Sequence, residues 1–148
     1  MERTFVMIKP DGVGRGLVGE CLRRFERRGL KLVGLKMQQL TVEQAQRHYG
    51  EHEGKPFYND LVAFITSGPT VQVALEGRDV VAQVRKMNGA TNCLDAAVGT
   101  IRGDFGLSNQ TNIIHASDSP ETAAREMALY FTDSELVSYS LPYDAWLK

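Results

Sequence analysis

The hydrophobic period of this 148-residue chain switches repeatedly between that of a strand and that of a helix, and the order of the switches leaves few folds open. Residues 3–8, centred on Thr4-Phe5-Val6-Met7-Ile8, read as a first strand. The turn Lys9-Pro10-Asp11-Gly12 leads into a helix whose apolar positions Leu17, Val18, Cys21, Leu22 and Phe25 recur at helical spacing, and Gly29 ends it. Leu30 to Met37 returns as a strand with Val33, Leu35 and Met37 on one face. Thr41-Val42-Glu43-Gln44 is a capping box opening the next helix, and a further helical stretch covers Tyr58 to Thr66. Val71, Val73 and Leu75 alternate as a third strand, and Asp79 to Met87 is helical. Residues 88–111 lack clear periodicity, and a stretch of that length without regular structure is more often functional than incidental. Asn112, Ile113 and Ile114 form a short buried strand. Ser119 then caps a last helix with Pro120 at its first position, carrying Glu126 and burying Met127, Ala128 and Phe131. This order predicts a ferredoxin-like α+β sandwich, βαββαβ, in which helices pack on a four-stranded antiparallel sheet, with extra helices and a long loop.

The length fits one domain over residues 1–148, large enough to need no covalent staple. Seventeen Lys and Arg against 18 Asp and Glu argue against a nucleic-acid-coating surface or a polybasic membrane patch. Cys21 and Cys93 follow no metal-ligand spacing and imply no secreted disulfide framework; Met1-Glu2-Arg3 runs straight into the strand-like Thr4 to Ile8, which is not the layout expected of a signal peptide, and no apolar run approaches membrane length. A cytoplasmic home fits best.

His115 stands where the last strand gives way to the polar, helix-starting turn Ala116-Ser117-Asp118-Ser119. A neutral imidazole, with an ordinary pKa of about 6.5, has a free lone pair near neutral pH and attacks phosphorus without a separate base. A buried imidazole with both nitrogens satisfied is the plainer reading of the octapeptide alone. Two other motifs carry less. Gly14-Arg15-Gly16-Leu17-Val18-Gly19 spells a dinucleotide fingerprint, but Gln38 and Gln39 stand where its acidic partner belongs, and Glu20-Cys21 replaces the Lys-Ser/Thr of a P-loop. His48-Tyr49-Gly50-Glu51-His52 fits a zinc-hydrolase spacing, yet Gly50, Gly54 and Pro56 break the helix that spacing requires, so His48 and His52 are expected to flank a helix end with Tyr49 turned inward. A phosphoryl-transfer site without a P-loop needs cations, hydroxyl or amide donors and a placed nucleophile; Lys9 ends the first strand before a turn, Arg85 lies on the helix before Thr91 and Arg102 stands in the glycine-bounded Gly99 to Asp104, though for each alone a solvated charge is the plainer reading.

Eight short stretches, in order, resemble the nucleoside diphosphate kinase family over essentially the whole chain. They are Thr4 to Gly12 with Arg15-Gly16-Leu17, His48-Tyr49 with Lys55-Pro56-Phe57, Thr66-Ser67-Gly68-Pro69, Gly89-Ala90-Thr91-Asn92, Gly99 to Phe105, and Asn112 to Ser119. The resemblance implies a phosphotransferase in which His115 takes the γ-phosphate of a nucleoside triphosphate through Nδ1 and passes it to a nucleoside diphosphate in a ping-pong cycle. It implies that Glu126 holds the other nitrogen and that Ser117 hydrogen-bonds Glu126. Arg85, Thr91 and Arg102 match phosphate-binding residues, while Lys9 and Asn112 match contacts to ribose hydroxyls and the phosphate end. Tyr49 matches an active-site residue near the histidine, Phe57 one that stacks on the base, and Leu61 one that lines the same cleft. Mg²⁺ is expected to arrive on the phosphates, with no protein metal centre and Asp118 as the nearest carboxylate. A homo-oligomer is implied, a hexamer favoured and a tetramer possible, with no membrane and no specific nucleic acid as partner.

The chain departs from the family pattern at several positions. Ala116 follows the histidine where glycine is usual, and is expected to keep a negative φ with activity intact. Asn109 replaces a commonly apolar residue on the far side of the base, and Cys93 and Val98 stand where prolines are common in the loop. The end, Tyr143 to Lys148, is slightly short. Three other functions are compatible with a chain of this kind: a silent scaffold on the same fold, an RNA-binding sandwich and a metal hydrolase. Intact His115, Glu126, Lys9 and arginines oppose the first, and balanced charge without an aromatic recognition strand opposes the second.

Overall fold

Strand β1 (Glu2–Ile8) is central because both its faces are apolar: Phe5, Val6, Met7 and Ile8 are all fully buried, alternate residues serving opposite faces. The computed structural model describes residues 1–147. After β1 come α1 (Pro10–Gly14), α2 (Val18–Arg27), β2 (Lys31–Gln38), α3 (Val42–His48), α4 (Tyr58–Ile65), β3 (Thr70–Gly77), α5 (Val80–Asn88), α6 (Ile101–Phe105), β4 (Ile114–Ala116) and α7 (Pro120–Tyr130), with short 3₁₀ turns between and after them. The sheet runs β2-β3-β1-β4 and every pairing is antiparallel, as the ferredoxin-like α+β reading requires. Val6 and Ile8 join Phe25, Val73, Leu75 and Val84 in one core under α2 and α5. Phe5 and Met7 join Ala45, Ile65, Tyr130 and Phe131 in a second core under α3, α4 and α7. The added helices therefore cover the face that a bare four-stranded sheet would leave wet.

Several local expectations hold. Thr41 accepts from Gln44 N while the Gln44 side chain accepts from Thr41 N, completing the capping box of α3. Gly29 ends the α2 segment with φ at +94°, a conformation that only glycine adopts without cost. Others are corrected. The Lys9-Pro10-Asp11-Gly12 stretch is the start of α1, Pro10 sitting where a helix needs no backbone donor. A bulge between Leu32 and Gly34 throws β2 out of step: Val33 is 2% exposed, but Leu35 and Met37 are 51% and 60% exposed, so the three do not share a buried face. Residues 88–111 hold a 3₁₀ turn, Cys93–Asp95, and α6, whose N-cap Thr100 accepts from Gly103 N. The last strand begins at Ile114, so His115 is its middle residue, and Ala128 lies on the exposed side of α7. Among the described residues no helix is long and apolar enough to cross a membrane.

Candidate active site

His115 enters the site from β4, opposite Met7 of β1, and so faces the core that also holds Phe5. The backbone just before it is strained. Ile113, β-branched and fully buried, has φ at +76°, and Ile114 N donates to Asn112 O at 2.8 Å, closing a three-residue γ-turn. The start of α1 holds this turn in place. Lys9 N donates to Ile113 O at 2.8 Å, Ile113 N donates to Asp11 Oδ2 at 2.9 Å, and Gly12 lies so close that a Cβ there would meet Ile113 O at 2.8 Å. Strain of this kind, worth about 1 to 3 kcal/mol, persists only where the surroundings overdetermine it. Ala116, by contrast, carries no positive φ, as expected.

The imidazole Nε2 of His115 lies 2.8 Å from Glu126 Oε1, and Ser117 Oγ donates to the same oxygen at 2.6 Å. Glu126, from α7, is buried. Burial alone would push its carboxyl up, but the hydrogen bond and charge of His115, with His48 and Ser117, outweigh that and hold it at about 2. An ionised acceptor at Nε2 keeps the proton on that nitrogen and leaves the lone pair on Nδ1. His115 itself remains partly open, its side chain 24% exposed.

The cleft in front of His115, about 210 Å³, is lined by Lys9, Tyr49, Arg85, Thr91, Arg102, Asn112 and Glu126. The structure therefore brings together eight of the sequence-predicted residues, His115 included. Lys9 Nζ donates to Asn112 Oδ1 at 2.8 Å, and Asn112 Nδ2 donates to Thr91 O at 3.0 Å, which ties β1 to the long loop. The buried guanidinium of Arg102 donates from Nε to Asn112 O, from Nη1 to Gly89 O and from Nη2 to Ile114 O. A guanidinium has five N–H donors, so two remain for a ligand. Arg85 Nη1 donates to Ala116 O at 3.2 Å. Burial, followed by the nearby charge of Arg102, lowers the Lys9 ammonium to about 8 against the opposing pull of Asp11 and Cys93. Burial also pushes the Tyr49 phenol up to about 12.

Ser117 lies behind the cleft, fully buried, beneath Glu126. Phe57 is not among the lining residues. It stands 44% exposed at the N-cap of α4, its ring 5.4 Å from that of His52, and Leu61 packs half-buried against the second core. His48, Glu51, His52, Asp118 and Thr122 also line the cleft. Glu51 and Thr122 had no signal in the sequence beyond neighbouring His52 and the Ser119 cap. The zinc-hydrolase spacing does not assemble: His48 turns inward to Tyr130 and Glu126, whereas His52 turns to Glu51 and Lys55. His48, His115 and Glu126 do place possible ligand atoms within 4.8 Å of one another, with Glu126 Oε1 2.8 Å from His115 Nε2 and Oε2 3.8 Å from His48 Nε2.

The family model described as nucleoside diphosphate kinase matches residues 2–136. A nucleoside diphosphate kinase of Carboxydothermus hydrogenoformans is 59% identical over 147 residues, covering 99% of both chains. A halophilic nucleoside diphosphate kinase from Halobacterium salinarum, solved in complex with CDP, superposes with a TM-score of 0.97 at 51% identity, covering 99% of this chain and 98% of that one. A nucleoside diphosphate kinase family protein from Babesia bovis gives a TM-score of 0.97 at 47% identity, covering 100% of each. With the whole length aligned in both sequence and structure, the chain belongs to the nucleoside diphosphate kinase family.

Proposed function

We propose that the chain transfers the γ-phosphate of a nucleoside triphosphate to a nucleoside diphosphate in a ping-pong cycle through a phosphohistidine on His115. The observation that carries this reading is the 2.8 Å contact of His115 Nε2 with the ionised Glu126, because it leaves the Nδ1 lone pair on a histidine that borders a cationic cleft. In the first half-reaction Nδ1 forms a bond to the γ-phosphorus as the bond to the β,γ-bridging oxygen breaks, and the diphosphate leaves with that electron pair. The phosphorylated ring keeps its Nε2–H, and its positive charge faces the Glu126 carboxylate. In the second half-reaction a terminal oxygen of another nucleoside diphosphate attacks phosphorus, and the N–P electrons return to Nδ1.

Arg85, Thr91 and the two spare N–H groups of Arg102 hold the phosphates, while Lys9 and Asn112 reach the ribose hydroxyls and the phosphate end. Tyr49 lies beside the transferred group, its phenol kept protonated by burial. Phe57 offers an exposed ring on which any base can stack, and the family resemblance gives Leu61 the lining of the same cleft and Asn109 the base's other face. Of the carboxylates in the cleft, Glu126 is occupied by His115 and Ser117, which leaves Asp118 and Glu51. That donor set suits Mg²⁺ carried on the phosphates, where it neutralises their charge, better than Mg²⁺ held by a protein cage. The working unit is a cytoplasmic homo-oligomer of a single-domain chain, hexamer favoured and tetramer possible.

Intact-protein mass spectrometry tests the reading. Mixing with Mg²⁺ and ATP is expected to add one acid-labile phosphate to wild type and none to His115→Ala, and GDP is expected to discharge it as GTP. Nucleotide binding without an adduct would instead indicate a silent member of the family.

A further inference from the structure

Behind the His115–Glu126 pair lies a second imidazole that the proposed reaction does not use. His48 ends α3 and is 3% exposed. Its Nδ1 is 2.9 Å from the Tyr130 hydroxyl, and its Nε2 is 3.8 Å from Glu126 Oε2. The Tyr130 ring stacks on Phe5 with centroids 4.9 Å apart and 8° between planes, so packing aims the hydroxyl. The His48 and His115 rings meet edge-on at 4.7 Å.

A neutral imidazole has one donor and one acceptor, and its surroundings choose which nitrogen is which. A bare Nε2 would aim a lone pair at a carboxylate that has no proton to offer. A protonated Nε2 aims a positive dipole at it instead. The second arrangement is favoured, and it leaves Nδ1 free to accept the Tyr130 O–H. Burial, reinforced by the charge of His115, holds His48 down to about 3, so the ring is neutral at working pH; burial also pushes the Tyr130 phenol up, so its proton stays.

We propose that His48, locked in its Nε2–H tautomer by Tyr130, is a positioning residue that holds the second oxygen of Glu126 and thereby keeps the first aligned on His115. This deepens the reading above and rests on it. Glu126 Oε1 already takes His115 and Ser117, whereas among the described residues Oε2 meets the buried His48 at 3.8 Å and the half-exposed Arg125 at 3.7 Å, both as charge–dipole or charge contacts longer than a hydrogen bond. Remove the His48 donor and the carboxylate turns toward Arg125. The grip on His115 Nε2 then loosens, and part of the population moves its proton to Nδ1, where it blocks attack.

Imidazole nitrogen NMR on the resting protein reads both tautomers directly, and kcat and KM are measured on the same samples. Wild type is expected to show a bare Nδ1 and protonated Nε2 on His48, and a protonated Nε2 on His115. His48→Leu is expected to mix the His115 tautomers and lower kcat about tenfold with KM nearly unchanged. His48→Gln, whose amide N–H replaces the Nε2–H, is expected to recover most of kcat and the single His115 tautomer. Tyr130→Phe keeps the stack on Phe5, mixes the His48 tautomers and gives an intermediate loss, and it decides the matter if His48→Leu does not fold. A protonated Nδ1 on wild-type His48 would overturn the proposal, as would a His48→Leu enzyme with wild-type kcat and an unmixed His115. A wild type that takes no phosphate from ATP sinks the His115 reading and this role together. A normal adduct with an indifferent His48→Leu sinks this role alone.

Discussion

Lys9 is a cleft cation whose charge burial weakens. Burial and the neighbouring Arg102 bring its ammonium to about 8, so it is charged below that pH and neutral above it. If it binds phosphate or ribose, kcat/KM for the nucleotide is level on the acid side of this limb and falls as pH rises through about 8. Lys9→Gln is expected to be slow at every pH and to lack the limb. A wild-type profile still level about one unit higher would remove Lys9 from the binding machinery. Arg102 makes a separate prediction because its guanidinium serves three carbonyls on two segments. A lysine in its place cannot reproduce the planar fork, so Arg102→Lys is expected to lose about 2 to 4 kcal/mol in urea unfolding as well as activity. Lys9 and Arg102 were marked in the sequence by the turns beside them and His115 by the switch from an apolar stretch to a helix-starting turn, whereas Arg85, inside α5, was marked by the family resemblance. The contact of His48 with Tyr130 had no such mark, since 82 residues separate them and nothing local marks an inward-facing imidazole.

At the scale of elements, the γ-turn at Ile113 and the first turn of α1 act as one device. Gly12 is where they touch: an added Cβ would meet Ile113 O and Ile8 Cγ2, both at 2.8 Å. Neither atom is the end of a flexible chain, so Gly12→Ala must move the γ-turn. It is expected to cost about 1 to 3 kcal/mol in thermal or urea unfolding and to lower kcat, since Asn112 and His115 flank the displaced turn. Unchanged stability would show that the turn is not under constraint from α1. Elements with strong period or complete caps, such as β1, α2 and the Thr41 box, are legible in the sequence. Those that escaped share a reason. The bulge at Val33 depends on a partner strand that a single sequence does not display, and α6 has only five residues, fewer than two turns of period to detect. The positive φ at Ile113 ran against propensity altogether, as strain near a reactive group often does.

The whole molecule leaves one side of its sheet unfinished. Strand β2 is an edge, and among the described residues only part of that edge is covered: Val137 N donates to Val33 O, and the Tyr139 hydroxyl donates to Leu32 O. Beyond the bulge, Leu35 and Met37 project side chains that are more than half exposed. An open edge bearing two apolar side chains attracts a second chain, and native proteins usually blunt such an edge with charge or a short strand. Lys36 does not serve here as a free gatekeeper, because its ammonium is paired with Glu135 at 3.1 Å. The expected homo-oligomer accounts for the exposure if the edge is one of its contacts. Introducing charge at both positions, Leu35→Glu with Met37→Lys, is therefore expected to lower the mass seen by light scattering while leaving the circular dichroism spectrum of the subunit intact. Phosphate uptake by His115 should survive in the smaller species, because none of the cleft residues lies on β2. If the mass is unchanged, assembly uses another face. If adduct formation is lost while the fold is kept, the cleft depends on assembly in a way that its position on one chain does not require.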